Sequence, residues 1–224
     1  HKKDLFDALE SSKNIIKKGY KLFLQPMVSN DYSDDEFIEM VKLSNKINPY
    51  AIYIVDSFGV MNQKKLENYL KILNQYLNQP ISVGFHGHNN LQLALSNAMY
   101  FVNYLNERDL IIDSSLEGMG RGAGNLTTEL AISILGGYSK SKYDFSSILH
   151  VLQTVMTTLK ANYSWGYDVN FLLSALSEVH PNYAKYYIEN SELSYNKKYQ
   201  LLKHFRESGN HLYDPDLARH SLKH

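Results

Sequence analysis

VGFHGHNN, residues 83–90, is the stretch on which the reading of this chain turns. A short apolar run ends in two histidines separated by one glycine, and two asparagines follow. Residues i and i+2 of a strand face the same side, so His86 and His88 converge if the strand continues through Gly87. Imidazole is a common ligand for divalent transition metals, and Gly87 leaves room for backbone or substrate to approach. The same spacing also suits two surface or hydrogen-bonded core histidines. As a metal site the pair is incomplete, since a catalytic divalent ion normally takes a third protein ligand, often a carboxylate.

The neighbouring sequence repeats this unit. Apolar, β-branched or aromatic runs stand at 20–25 (YKLFLQ), 51–56 (AIYIVD), 81–86 (ISVGFH) and 110–115 (LIIDSS). Their spacing of roughly 30 residues is that of a strand–helix unit. Helix-like segments lie between them, near 4–18, 34–48, 62–78 and 91–106. Ser33 with Glu36 three residues later marks a helix start, and Pro49 and Pro80 punctuate helix–strand connections. Apolar strands alternating with amphipathic helices imply a parallel sheet covered by helices. Polar residues gather where these strands end: Gln25 and Ser29, Asp56 and Ser57, His86 and His88, Asp113 and Ser115. A (β/α)₈ barrel keeps its active site at that end, and open doubly wound sheets bind ligands there. A full barrel needs about 250 residues, and only four unit strands are visible. The expectation is a partial barrel over residues 1–137.

From residue 138 the pattern changes to helical apolar spacing, in 145–160, 169–179, 183–193 and 197–207, so 138–224 is read as an α-helical region. The last stretch, SGNHLYDPDLARHSLKH (208–224), has no clear period and is expected to be partly loose. Lys+Arg and Asp+Glu both number 23, giving zero formal net charge, so nothing points to nucleic acid or an anionic membrane. There is no cysteine, which excludes disulfides, thiolate metal sites and a cysteine nucleophile. HKKDLFDALESSK carries no signal-type apolar core and no run approaches a membrane span; a cytoplasmic location is expected.

A second dense motif, SLEGMGRGAGN (115–125), follows the fourth strand. Alternating Gly118, Gly120, Gly122 and Gly124 allow a loop that wraps a ligand, with amides suited to an anion. Ser115 and Arg121 are its candidate substrate-binding residues, Arg121 as the partner of a carboxylate. Equally open is a turn that merely caps the next helix, with Asn125 as N-cap.

Together, VGFHGHNNLQLALSNA (83–98) and IDSSLEGMGRGAGNLTTELAISIL (112–135) resemble the metal-dependent aldolases that cleave 4-hydroxy-2-oxoacids, within the wider family of 3-hydroxy-3-methylglutaryl-CoA lyase and isopropylmalate synthase. YIVDSFGVM (53–61) and WGYDVNFLLSALSEVHPNYAKYY (165–187) extend the likeness. The resemblance implies a (β/α)₈ TIM barrel with a helical C-terminal domain. It implies that His86 and His88 are metal ligands, joined by Asn125, for Mn²⁺ or Mg²⁺. Tyr167 becomes a candidate for lining the catalytic pocket, or else one more helix-packing tyrosine. The implied reaction is retro-aldol cleavage to pyruvate and an aldehyde, the metal stabilising the enolate.

One feature of the family is missing. No stretch matches the family's first strand, which carries an aspartate ligand and a catalytic arginine. The chain is therefore expected to be the C-terminal portion of an aldolase-like protein, inactive alone. Asp56 is close by but its family counterpart is not a ligand. Alternatives are a Claisen-type acyl-CoA enzyme of the same family, or a catalytically silent barrel module that binds a partner. The resemblance also suggests a partner aldehyde dehydrogenase, or a homo-oligomer.

Overall fold

The computed structural model describes residues 1–105, 107–136 and 143–222. The expected boundary between barrel and helical region, at 137/138, and residue 106 at the end of the fourth expected helix lie outside them. Four strands form one parallel sheet in chain order: β1 (Phe23–Leu24), β2 (Ala51–Asp56), β3 (Ser82–Gly87) and β4 (Leu110–Ile112). Helices α1 (Leu5–Lys17), α2 (Asp34–Ile47), α3 (Gln63–Tyr76), α4 (Ala94–Tyr104) and α5 (Thr128–Leu135) alternate with them. The α2 start is a complete capping box: Ser33 accepts from the Glu36 amide, and the Glu36 carboxylate accepts from the Ser33 amide at 2.9 Å.

Strand parity divides the side chains between two faces. Ile52, Ile54, Val83 and Phe85 enter the main core under the helices, with Phe37, Leu66, Leu70 and Phe101. Ala51, Tyr53 and Val55 pack with Ile111 on the opposite, barrel-interior face. Every residue of β2 is buried, as a central parallel strand covered on both sides requires. The outer strands are shorter than their apolar runs suggested. β1 has a partner on one side only, and Phe23 stays 42% exposed; past Ile112, the chain leaves the ladder to enter the glycine loop.

The second half is helical and has its own core. α6 (Phe145–Val151) runs through a π-helical turn, Leu152–Met156, into α7 (Thr157–Asn162). α8 (Val169–Leu176), α9 (Pro181–Asn190), α10 (Tyr195–Glu207) and α11 (Pro215–His220) enclose Val179, Tyr183, Tyr187, Leu202, Phe205 and Ala218. The tail from 208, expected to be partly loose, is docked through most of its length instead. Its α11 begins at the Asp214 cap, Tyr213 and Leu217 join the helical core, and the Tyr183 hydroxyl donates to Leu212 O at 2.9 Å. Aperiodic sequence concealed this because the contacts are to other elements.

The helical region sits on the loops at the strands' C-terminal end. Trp165 Nε1 donates to Glu117 O at 2.9 Å, and Lys160 pairs with the Glu117 carboxylate at 2.6 Å. Asp31 takes His211 Nε2 at 2.8 Å and Arg206 at 3.6 Å. Among the described residues no helix is long and apolar enough to cross a membrane.

Candidate active site

The two histidines emerge together at the end of β3. Their ring centroids are 5.0 Å apart. His86 lies on the barrel-interior face, one strand from Tyr53. Gly84, in register with Tyr53, makes that arrangement possible, because a Cβ there would overlap the tyrosine ring. Gly87 is likewise forced, since a Cβ would meet the Phe85 ring at 2.9 Å.

Each imidazole is held by its Nδ1. That of His86 lies 3.0 Å from Asp113 Oδ2, and that of His88 lies 2.9 Å from the Asp56 carbonyl oxygen, to which it donates. Asp113 also accepts from Tyr53 Oη at 3.1 Å and Gln25 Nε2 at 3.3 Å, so residues from all four strand–helix units meet at one carboxylate. Burial opposes ionisation of Asp113, but His86 and Tyr53 outweigh it and hold the carboxyl below its usual range. Tyr53 is raised, by burial first and by the Asp113 charge second, and stays a phenol donor. His88 is only 8% exposed, and burial holds it down at about 4, with His86 and Arg121 adding repulsion. It is therefore neutral near pH 7. With Nδ1 engaged, the Nε2 atom of each ring has no protein partner among the described residues.

Asn125 is brought beside His88 by an antiparallel bridge. Its Nδ2 donates to Met119 O at 3.0 Å, which leaves Oδ1 buried and unpartnered. It does not cap the next helix; the N-cap of α5 is Thr127. The glycines earn this geometry: a Cβ on Gly120 would overlap the Asn125 amide, and Gly118, Gly122 and Gly124 all have positive φ. The asparagines after the histidines fasten the loop. Asn89 Nδ2 donates to Asn125 O at 2.9 Å, while Asn90, 1% exposed, accepts from the Ala123 amide and donates to Phe58 O.

The remaining candidates surround this set. The Ser115 hydroxyl donates to Met119 O at 2.8 Å, within the loop's own frame. Arg121 is exposed in the glycine loop, and Tyr167 is 59% exposed with no hydrogen bond to either histidine among the described residues. Asp56 turns its carboxylate back to the Val60 and Met61 amides, at 2.9 and 3.0 Å. Burial of that carboxyl raises it to about 6, despite those bonds and the nearby His86. With Asp56 so engaged and Asp113 on His86, no group of three or more His, Cys, Asp or Glu side chains among the described residues could hold a metal. The unengaged donors on these neighbouring residues are two imidazole nitrogens and one orphaned amide oxygen, a set whose chemistry fits a divalent transition ion as part of its shell. Asp113, Tyr53 and Asn90 went unrecognised in the sequence as site-builders. Parity alone, Tyr53 with Gly84 and Asp113 one step past β4, was the available signal.

A parallel sheet of (β/α)₈ type with polar groups at its C-terminal mouth defines the class: a TIM-barrel fold, of which the described residues form four strands. The HMGL-like family model matches residues 3–155, and the chain belongs to that family. It is similar to 4-hydroxy-2-oxovalerate aldolase of Bacillus thuringiensis (strain Al Hakam), 33% identical over 135 residues, 59% of this chain and 38% of the relative. The corresponding protein of Geobacillus thermodenitrificans (strain NG80-2) is 35% identical over 109 residues, 49% of this chain and 30% of the relative. The chain thus spans well under half the length of these relatives. Among solved structures, the N-terminal domain of a Bacteroides vulgatus protein described as an aldolase superposes with TM-score 0.72 at 29% identity, covering 85% of this chain and 62% of that one. The carboxyl transferase domain of Rhizobium etli pyruvate carboxylase, at 13% identity and TM-score 0.66 over 95% of this chain and 38% of its own, shares the fold.

Proposed function

We propose that this chain supplies part of the active site of a divalent-metal-dependent aldolase that cleaves a 4-hydroxy-2-oxoacid to pyruvate and an aldehyde. The observation that carries the reading is the pair of imidazoles, each fixed through Nδ1, presented with the free Asn125 Oδ1 at the barrel mouth. Names of the relatives supply the substrate class. His86, His88 and Asn125 would hold Mn²⁺ or Mg²⁺. When bound, such an ion stabilises the negative charge of an enolate as a Lewis acid.

The chain's own residues then have distinct tasks. Asp113 fixes the ring orientation of His86 and, as a carboxylate, raises its basicity as a ligand. The Asp56 carbonyl does the same for His88 without adding charge. Burial keeps His88 neutral, so its nitrogen lone pair is available at neutral pH. Asn89 and Asn90 hold the glycine loop over the mouth, limiting access of water. The base that takes the 4-hydroxyl proton is not among the residues brought together here.

Titration of the chain with Mn²⁺, with and without oxalate as a planar stand-in for the pyruvate enolate, tests the reading. Binding is expected to be weak in the chain alone, tightened by oxalate, and lost in the His86→Ala/His88→Ala double variant with the fold intact by circular dichroism. A double variant that titrates like the parent chain would remove the basis for the proposal.

A further inference from the structure

A cavity of about 360 Å³ lies where the helical region meets the mouth loops, and neither paired histidine lines it. One wall is Val28 after β1, Ser57 and Phe58 after β2, and Arg121 in the glycine loop; the other includes His180 and Asn182 at the start of α9. Among the described residues, none of the ten that line it is aspartate or glutamate. Its size is in the range of small-molecule sites.

The polar groups in it have donors to spare. Arg121 takes part in none of the ion pairs formed among the described residues. His180 Nδ1 accepts the Asn182 amide at 3.1 Å, so the ring proton is on Nε2, a donor with no protein partner among the described residues. Burial, with Arg121 and His88 nearby, holds His180 down at about 4, so it keeps this single-proton form at neutral pH. Buried Ser57 spends its oxygen accepting the Val28 amide at 2.8 Å, which leaves its own proton to donate. That bond holds Val28 at φ +55, a left-handed conformation costly for a β-branched residue.

We propose that this cavity binds the anionic group, carboxylate or phosphate, of a small ligand, with Arg121 as counter-charge and the His180 Nε2–H and Ser57 hydroxyl as directed donors. Ser57 and Phe58 directly follow Asp56, whose carbonyl oxygen holds His88, and Arg121 lies in the loop whose Asn125 bridges to His88, which sets the cavity next to the metal-site histidines. Resting on the aldolase reading above, the inference extends it to substrate class: the oxoacid carries a charged far end, and the aldehyde released bears a carboxylate or phosphate rather than a bare alkyl chain.

The test titrates the 224-residue chain with succinate and with inorganic phosphate, by calorimetry and by the emission of Trp165. That residue is the chain's one tryptophan, and its indole is bonded to the loop that carries Arg121. Saturable binding is expected, with Arg121→Gln weakening it about tenfold or more and Arg121→Lys retaining most of it. His180→Asn keeps an acceptor for the Asn182 amide, removes the Nε2 donor, and should weaken binding about threefold to tenfold. Tighter succinate assigns a carboxylate-bearing ligand; tighter phosphate assigns a phosphorylated one. The His86→Ala/His88→Ala variant should lose Mn²⁺ and keep anion binding, so the two readings fail separately. No saturable binding of either anion, or equal binding by the parent, Arg121→Gln and His180→Asn chains, overturns the proposal.

Discussion

Replacing Asp113 by asparagine tests the site at the point where most of its geometry converges. The carboxylate faces His86 Nδ1 at 3.0 Å, Tyr53 Oη at 3.1 Å and Gln25 Nε2 at 3.3 Å. Asparagine keeps one acceptor oxygen but removes the charge and puts an N–H₂ donor where a second acceptor stood. Either Tyr53 or His86 then loses its partner, and His86 is free to turn or to adopt the other tautomer. Loss of a carboxylate behind a ligating histidine typically costs ~10–100-fold in metal affinity, about 1.4–2.7 kcal/mol. The cost to folding is smaller, about 1 kcal/mol or less, since the His86–Asp113 pair is partly exposed, with side chains at 25% and 31%. Calorimetric Mn²⁺ titration at pH 7.5, paired with urea unfolding, separates the two effects. Unchanged Mn²⁺ affinity in Asp113→Asn, alongside its loss in His86→Ala, would refute the orienting role. The same affinity loss with a collapse in stability would make Asp113 a fold residue instead.

Two further outcomes are expected. Gly120→Ala should drive the Asn125 amide out of position, since the added Cβ overlaps it, and weaken Mn²⁺ about tenfold with little change in unfolding midpoint; normal metal binding in that variant would detach Asn125 from the site. Asp56, raised to about 6 from a usual 3.8, binds its proton more tightly in the folded chain than in the unfolded one. Its stabilisation is therefore complete below about pH 4 and is lost as pH rises through about 6, a change of about 3 kcal/mol. His88 and His180, both held down at about 4, act in the opposite sense and lose stability as pH falls below their unfolded value near 6.5. Urea unfolding of Asp56→Asn against the parent from pH 4 to 7 isolates the Asp56 part; parallel curves across that window would count against the burial argument.

The layout of the sheet was legible because it rests on local periodicity. Apolar runs such as AIYIVD and ISVGFH marked the strands, their 30-residue spacing implied a parallel sheet, and two-residue parity set which residues of a strand share a face. It also placed His86 and His88 on one side, and the Ser33–Glu36 pair announced α2 through a contact three residues long. Chemistry at the strand ends was legible for the same reason, as a list of polar residues at one edge.

What those residues do to one another was settled only in three dimensions. Asp113 stood in that list, yet its role comes from standing 27 residues from His86 and 60 from Tyr53 in sequence while touching both. Asp56 looked like a spare carboxylate; folding turned its side chain to local amides and left its backbone oxygen to hold His88. Asn125, a credible helix cap on sequence grounds, became a buried amide with a free oxygen because Gly120 lets it pack where a side chain could not. The aperiodic tail found its order through Asp31 and Tyr183, 180 and 29 residues from the His211 and Leu212 that meet them. Periodicity records which face a residue occupies along its own element. Partners across elements depend on register, on loop closure and on where a glycine leaves space, and those are fixed only when the elements pack.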